Sequence, residues 1–251
     1  MTQNIYDDPG FFAGYSQLPR SLQGLGGAPE WPSLRRLLPD LKGKRVLDLG
    51  CGFGWFCRWA REAGAARVWG LDVSERMLAR ARTDPADPAV TYRRADLETV
   101  DLDTMDRGDG AAPGPFDLIY SSLAFHYLEN LDRLIGQVAT VLDPAGWLVF
   151  SVEHPICTAP GNPGWITDAE GRKVWPVERY LDEGPRSTNW LAEGVIKQHR
   201  SIATYLNLLL DRGLMLEHLE EWSPSEAQIA AEPSWADEQQ RPFFLLIACR
   251  R

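Results

Sequence analysis

Runs of strand length recur along the first half of the chain. Arg45–Leu49, Arg67–Leu71, Val90–Arg93, Phe116–Tyr120 and Trp147–Val152 are short and rich in Val, Leu, Ile and aromatic residues, which predicts strands. Between them Trp55–Ala63, Ser74–Arg82 and Leu131–Leu142 repeat their apolar residues at three- and four-residue intervals, which predicts helices. The punctuation agrees. Gly64 stands where a helix C-terminus favours glycine, Ser74 suits an N-cap, and Asp143-Pro144-Ala145-Gly146 stops the third helix. A short helix over Leu34–Leu38 ends at Pro39, and loops rich in Asp, Gly and Pro are expected over 84–88 and 102–115. Strands alternating with helices through residue 152 predict a mostly parallel sheet with helices on both faces. About forty residues then lack any regular period. Their aromatics, Trp165, Trp175, Tyr180 and Trp190, argue against disorder and for a working segment. Ser201–Leu210 reads as a helix ending near Gly213. Leu214–Trp222 and Phe243–Arg250 read as the last two strands.

The first strand stops at three glycines spaced by two, Gly50, Gly52 and Gly54, and a helix follows. Such a turn removes Cβ atoms and offers backbone N–H groups and a helix N-terminus to a ligand. Several nucleotide folds use one. The dinucleotide fingerprint needs Gly or Ala at position 55, where this chain has Trp55; a P-loop needs Gly-Lys-Ser/Thr, which is absent. No Tyr-x-x-x-Lys pair supports a reductase. Asp72 ends the second strand, where a carboxylate can accept from both ribose hydroxyls, while Ser74 is the better candidate for capping the next helix. Asp96 follows the third strand. Acidic or glycine positions thus recur at the carboxyl ends of three consecutive strands, where open α/β sheets bind ligands.

Lys44 to Trp55, with Asp48 two residues ahead of Gly50, resembles motif I of the class I S-adenosylmethionine-dependent methyltransferases. Phe116-Asp117-Leu118-Ile119, running into Ser121, Ser122 and His126, resembles motif IV of the small-molecule members, and the broad likeness is to the ubiquinone and menaquinone C-methyltransferase group. The resemblance implies a Rossmann-like α/β fold, a seven-stranded mostly parallel sheet with an antiparallel last strand. It also implies a division into an N-terminal lid (1–39), a cofactor-binding core (40–152), a substrate-cap insertion (153–200) and a C-terminal helix with edge strands (201–251), all in one domain. The implied cofactor is S-adenosyl-L-methionine. Its expected contacts are Asp48, Gly50, Cys51, Gly52 and Gly54 at the turn, Asp72 and Val73 at the ribose, Met77, Asp96 and Leu97 at the adenine, and Ser121 and Ser122 beside the methionine part. From the lid, Tyr15 would approach the sulfonium and Arg20 the cofactor carboxylate.

Methyl transfer from a sulfonium needs a nucleophile held in line, exclusion of water, and removal of a proton where the nucleophile carries one. Glu153 and His154 beyond the fifth strand and His126 beyond the fourth are the base candidates; His126 has the competing reading of a backbone hydrogen-bonding turn residue. His199 is a weaker candidate, and His218 falls on a solvated face. Tyr6 and Phe11 of the lid and Trp165, Tyr180, Arg186 and Trp190 of the cap are the candidates for substrate contact, and packing against the core is the competing reading for the lid aromatics. The expected acceptor is a small, aromatic or heterocyclic molecule, an indole natural product being one specific case, with the C, N or O atom open. The alternative is a silent fold that binds the cofactor as a sensor or partner subunit.

Composition narrows the partners. The 251 residues carry a net charge of −9, which disfavours a broad nucleic-acid face. No apolar run approaches membrane-spanning length, and Met1–Gly10 lacks a signal-peptide pattern. Cys51, Cys57, Cys157 and Cys249 have no metal spacing, so no metal is expected and reduced thiols in a cytoplasmic protein are. A monomer or homodimer is expected.

Overall fold

A computed structural model describes residues 3–83, 87–105 and 115–251. Five strands run parallel: β1 (Arg45–Leu49), β2 (Arg67–Asp72), β3 (Val90–Arg94), β4 (Phe116–Ser122) and β5 (Leu142–Glu153). Two small hairpins follow, β6 (Ile166–Thr167) with β7 (Lys173–Val174) and β8 (Gly184–Trp190) with β9 (Ala192–His199). The last strands are β10 (Met215–Trp222) and β11 (Phe244–Arg250). Among the described residues the central sheet has seven strands in the order β10-β11-β5-β4-β1-β2-β3. Strand β11 lies antiparallel to both β5 and β10. This is the mostly parallel sheet that the sequence pattern predicts, in the seven-stranded Rossmann-like form that the resemblance implies.

The helices are α1 (Pro9–Tyr15), α2 (Pro19–Leu22), α3 (Trp31–Leu37), α4 (Trp55–Glu62), α5 (Glu75–Ala81), α6 (Leu131–Val141), α7 (Pro155–Thr158), α8 (Ile202–Leu210) and α9 (Glu226–Ala231). Because side chains alternate along a strand, each strand feeds both faces of the sheet. Leu47, Leu49, Trp69, Leu71 and Ile119 pack with Leu134, Ile135 and Val138 of α6 and with Tyr205 and Leu209 of α8. Val46, Val68, Leu118 and Tyr120 pack on the other face with Leu34 of α3, Phe56 and Ala60 of α4 and Leu78 of α5. At 25 cal/mol per Å², each such buried Leu or Val contributes about 1.5–3 kcal/mol. Chain order reverses between β1 and β4, so the loops that leave these strands diverge and open a crevice at their carboxyl ends.

Two expectations need correction. The stretch after β5 is not irregular: most of it folds as the β6–β7 and β8–β9 hairpins. In β9 the inward positions are Val195, Lys197 and His199, while Ile196 faces solvent, so the strand's period is inverted in hydrophobicity and invisible to an apolar pattern. Strand β5 also begins at Leu142 rather than Trp147; the Asp143–Gly146 turn sits inside it as an irregularity, with register jumping from Phe116↔Leu142 to Leu118↔Trp147. Of the two expected loops, residues 84–86 and 106–114 lie outside the described residues.

The glycine turn joins β1 to α4 with Gly50, Gly52 and Gly54 all at positive φ. A Cβ on Gly54, at φ 72°, would run into the Tyr92 hydroxyl from β3. Gly54→Ala is expected to lower unfolding free energy by about 2–4 kcal/mol through left-handed strain and overlap together. Urea denaturation measures it, and a loss under about 0.5 kcal/mol would refute this close packing.

Candidate active site

A cavity of about 230 Å³ opens in the crevice at the carboxyl ends of β1, β2 and β4. The sequence candidates that reach its wall are Tyr6, Tyr15, Arg20, Gly50, Gly52, Asp72, Val73, Met77, Asp96, Leu97, Ser122, His126, Glu153 and Trp190. Asp48 and Cys51 line a smaller adjoining cavity of about 100 Å³.

Asp72 ends β2 with its side chain almost fully buried. Its Oδ2 accepts from the Gly52 N–H at 2.8 Å and its Oδ1 from the Ser74 N–H at 2.9 Å. Burial pushes the carboxyl up to about 6, against the pull of these two backbone N–H groups. Each oxygen keeps a second lone pair for a hydroxyl donor. Ser74 takes the capping role: its Oγ accepts from the Met77 N–H at 3.1 Å and donates to Asp7 at 2.6 Å. The Gly50 φ is 84°, and a Cβ there would come within 2.5 Å of the Ala124 Cβ, so the turn after β4 closes directly on the glycine turn. That turn contains Leu123 at φ 55°, a left-handed conformation unfavourable for leucine and located on the cavity wall.

Glu153 and His154 part company at the end of β5, as neighbours on a strand do. Glu153 faces the cavity and meets the Lys197 ammonium of β9 at 2.5 Å. Burial raises its carboxyl, and the charge and hydrogen bond of Lys197 together with His126 and Arg241 more than offset this and hold it below the ordinary range. His154 instead caps α7 by accepting from the Ile156 N–H at 3.1 Å, and its Nε2 meets Glu221 at 2.9 Å. It does not line the cavity. His126 does, with its Nδ1 accepting from the Glu153 N–H at 3.3 Å. Burial pushes its imidazole down to about 4, so at neutral pH the ring is uncharged, with its proton on Nε2.

Several other candidates sit outside both cavities. Phe11 is fully buried among Tyr6, Tyr15 and Trp190. Ser121 donates to the Leu49 carbonyl at 2.7 Å, tying β4 to β1. Gly54 packs on Tyr92. Trp165 stacks edge-on against Trp175 beside Arg241. Tyr180 packs against His199, and its hydroxyl accepts from the Ile202 N–H. Arg186 is buried, with its guanidinium donating to the Ala159, Arg179 and Asp182 carbonyls, which makes it a clamp within the cap. The aromatic wall of the main cavity is built mainly of Tyr6, Tyr15, Tyr127, Phe243 and Phe244, with Trp190 added. Tyr127, Phe243, Phe244 and Gln3 escape sequence reasoning; the adjacency of Tyr127 to His126 was the one available signal.

The sheet order, the crevice and the glycine turn define a nucleotide-cofactor enzyme of the Rossmann-like α/β class. A methyltransferase domain family matches residues 29–219, and the chain belongs to that family. It is similar to an S-adenosylmethionine-dependent methyltransferase from Mesorhizobium loti of known crystal structure, at 55% identity and TM-score 0.83, over 91% of this chain and 100% of that one. An uncharacterized protein of Haemophilus influenzae is 34% identical over 99% of this chain and 97% of its own length. A malonyl-[acyl-carrier protein] O-methyltransferase of Enterobacter lignolyticus is 33% identical over 64% of this chain, which spans 54% of that protein. The protein is an S-adenosylmethionine-dependent methyltransferase. No helix among the described residues is long and apolar enough to cross a membrane, and no cluster of three metal-ligating residues occurs among them.

Asp48, inside β1, accepts from the Cys57 thiol at 3.3 Å and is pushed up to about 8 by burial. Its folded value lies above its ordinary 3.8, so between about pH 4 and 8 the folded chain holds a proton that the unfolded chain has released. Stability therefore falls as pH rises through that window. Asp48→Asn is expected to flatten the fall in melting temperature of the ligand-free protein between pH 5 and 8. An unchanged slope would mean that Asp48 is ionised in the fold.

Proposed function

We propose that the enzyme methylates a small, uncharged aromatic or heteroaromatic acceptor, with residues 1–39 as a lid and 153–200 as a cap over the crevice. The observation that supports this reading most directly is the character of the main cavity, where aromatic walls enclose a half-buried carboxylate already neutralised by Lys197.

The residues present fit the cofactor. Gly50 and Gly52 leave the backbone open, Asp72 offers two buried acceptor oxygens beside them, and Asp96, Leu97, Val73 and Met77 line the same wall. In this reading Asp72 accepts from the ribose diol, Asp96 and Leu97 hold the adenine, and Ser122 and Arg20 face the methionine part. S-adenosylmethionine supplies a methyl group that is electrophilic from the start. The chain's task is then to position and to dry the acceptor. Tyr6, Tyr15 and Tyr127 form an aromatic wall on which positive charge is stabilised by roughly 0.5–2 kcal/mol. Glu153 accepts a hydrogen bond from the acceptor's O–H or N–H and so aims its lone pair. With its basicity held down by Lys197, Glu153 orients the acceptor and is a weak base. His126, uncharged, can donate from Nε2 and is a poor proton acceptor.

The Enterobacter lignolyticus relative is named for a carboxylate acceptor, a malonyl group. An acceptor carboxylate here would bring an extra charge to a wall where Glu153 and Lys197 already balance, so its desolvation would have no free counter-charge to offset it. The charge on the wall thus favours a neutral acceptor. Methyl transfer from tritium-labelled S-adenosylmethionine to panels of phenols, arylamines, indoles and carboxylic acids tests the reading. Label confined to the carboxylic acids would overturn it.

Two variants probe the assigned roles. Asp72 binds a diol best when ionised, so affinity for S-adenosylhomocysteine is expected to fall below about pH 6, by about tenfold per unit. Asp72→Ala should cost about a hundredfold at pH 7.5 and abolish the pH dependence, because two hydrogen bonds to a charged group are lost. Calorimetry that returned unchanged affinity would remove Asp72 from the ribose site. Glu153→Gln should leave that affinity within about threefold while lowering kcat about 10–100-fold, the range of one lost orienting hydrogen bond to a charged group. Equal losses in binding and turnover would assign Glu153 to the fold.

A further inference from the structure

Lys197 is a buried charge of the cap that does not line the main cavity. Only 7% of its side chain is open, and its ammonium meets Glu153 Oε1 at 2.5 Å. The same ammonium lies 5.2 Å from the centroid of the Trp190 ring. Trp190 does line the cavity, and it packs edge-on against Phe11 and Tyr15 of the first helix. The charge is thus held between the end of a core strand and a cap aromatic, behind the surface that a guest touches. Replacing a buried ion pair by packed apolar residues is often neutral or stabilising, so stability alone does not account for Lys197.

Its effect passes through Glu153. Among the described residues no hydrogen bond reaches Glu153 Oε2, and 24% of the side chain stays open where it lines the cavity. With Oε1 pinned, the direction of Oε2 is set. A neutral O–H or N–H donor finds a strong acceptor there. An ammonium finds a carboxylate whose charge is already matched, so its own desolvation goes uncompensated. Glu153 without Lys197 would instead attract it.

We infer that Lys197 is the positioning residue of the acceptor site: it pins Glu153 from the cap and makes the cavity select neutral hydrogen-bond donors over ammonium groups of the same shape. This rests on the acceptor reading given above and adds to it a discrimination against protonated amines. Other groups also face the carboxylate: His126 and Tyr127 after β4, Cys157 of α7, Tyr205 of α8 and Arg241 ahead of β11. Burial pushes Tyr127, Cys157 and Tyr205 upward and His126 down to about 4. Near neutral pH, then, only Lys197 and Arg241 bring positive charge to Glu153.

The test uses the full chain saturated with S-adenosylhomocysteine and two probes of one shape, 2-naphthylmethanol and 2-naphthylmethylamine, the second an ammonium at neutral pH. Calorimetry gives the ratio of their affinities. The wild type is expected to favour the alcohol. Lys197→Met should move the ratio towards the amine by at least about tenfold, the scale of one hydrogen bond to a charged group, and Lys197→Arg should keep the wild-type preference. Glu153→Gln, which leaves Lys197 unmatched, should move the ratio the opposite way, whereas loss of a mere staple of the cap would weaken both probes alike. In Lys197→Met the amine's gain should fade as pH falls, because burial then raises the Glu153 carboxyl unopposed by Lys197 and it takes up a proton. A ratio unchanged in Lys197→Met, or a wild type that favours the amine, overturns the proposal and leaves the aromatic acceptor standing. Failure of both probes to bind the wild type overturns that reading as well. Should Lys197→Met not fold, the ratio in Glu153→Gln decides.

Discussion

The carboxylate of Asp72 is the point on which the site's geometry depends. One oxygen receives the Gly52 N–H and the other the Ser74 N–H, so a single side chain fastens the glycine turn after β1 to the start of α5 after β2. These N–H groups belong to chain segments that leave the sheet in different directions, and no ladder hydrogen bond could join them there. Burial makes the arrangement strained in charge as well as specific in shape. The carboxyl is pushed up to about 6 by loss of solvent, and the two backbone donors are what keep it ionised at neutral pH. Without glycine at 52 and 54 the turn could not adopt the positive φ angles that present the Gly52 N–H to Asp72.

The first residues of the chain attach both to this framework and to the β8–β9 hairpin. Asp7 takes the Ser74 hydroxyl at 2.6 Å and the Arg76 N–H at 3.1 Å, which seats the segment on α5. Gln3 bridges to the β8–β9 hairpin, donating to the Gly194 carbonyl and accepting from the Ile196 N–H, both at 2.9 Å. Between these anchors Tyr6, Phe11, Tyr15 and Trp190 form one edge-to-face aromatic cluster. Segments nearly two hundred residues apart thus share a single roof.

Much of this was legible in the sequence, and the parts that were not have physical reasons. The parallel strands, their helices and the Asp72 and Asp96 positions follow from apolar runs and glycine punctuation, because a doubly covered sheet leaves its strands hydrophobic along their whole length. The cap defeats that logic. Its strands turn Arg186, Lys197 and His199 inward and Ile196 outward, since they pack on polar partners and the cavity rather than on a core. Candidate residues chosen by type alone divided accordingly. Glu153 reached the cavity while its neighbour His154 became a helix cap, and Trp165, Tyr180 and Arg186 hold the cap together. Tyr127, Phe243 and Phe244 join the wall only because β4 ends and the antiparallel β11 begins beside the crevice, which is tertiary information.

Charge is arranged on the same plan in both cavities. In the main cavity Glu153 is matched by Lys197, and in the smaller one Glu30 is matched by Arg20. One member of each pair, Lys197 and Glu30, is buried and the other half-buried, so each pair has a desolvation cost that a well-packed apolar pair would avoid, and such ion pairs are weak evidence for stability. Their persistence at the cavity walls is better explained by recognition. A matched pair is neutral to an uncharged guest yet offers it one strong acceptor, and it gives an anionic guest no free counter-charge. Discrimination then comes from what the site refuses as much as from what it holds. A protein with a net charge of −9 would by its overall field repel anionic acceptors from the crevice mouth, so the local pairing and the global charge act in the same direction.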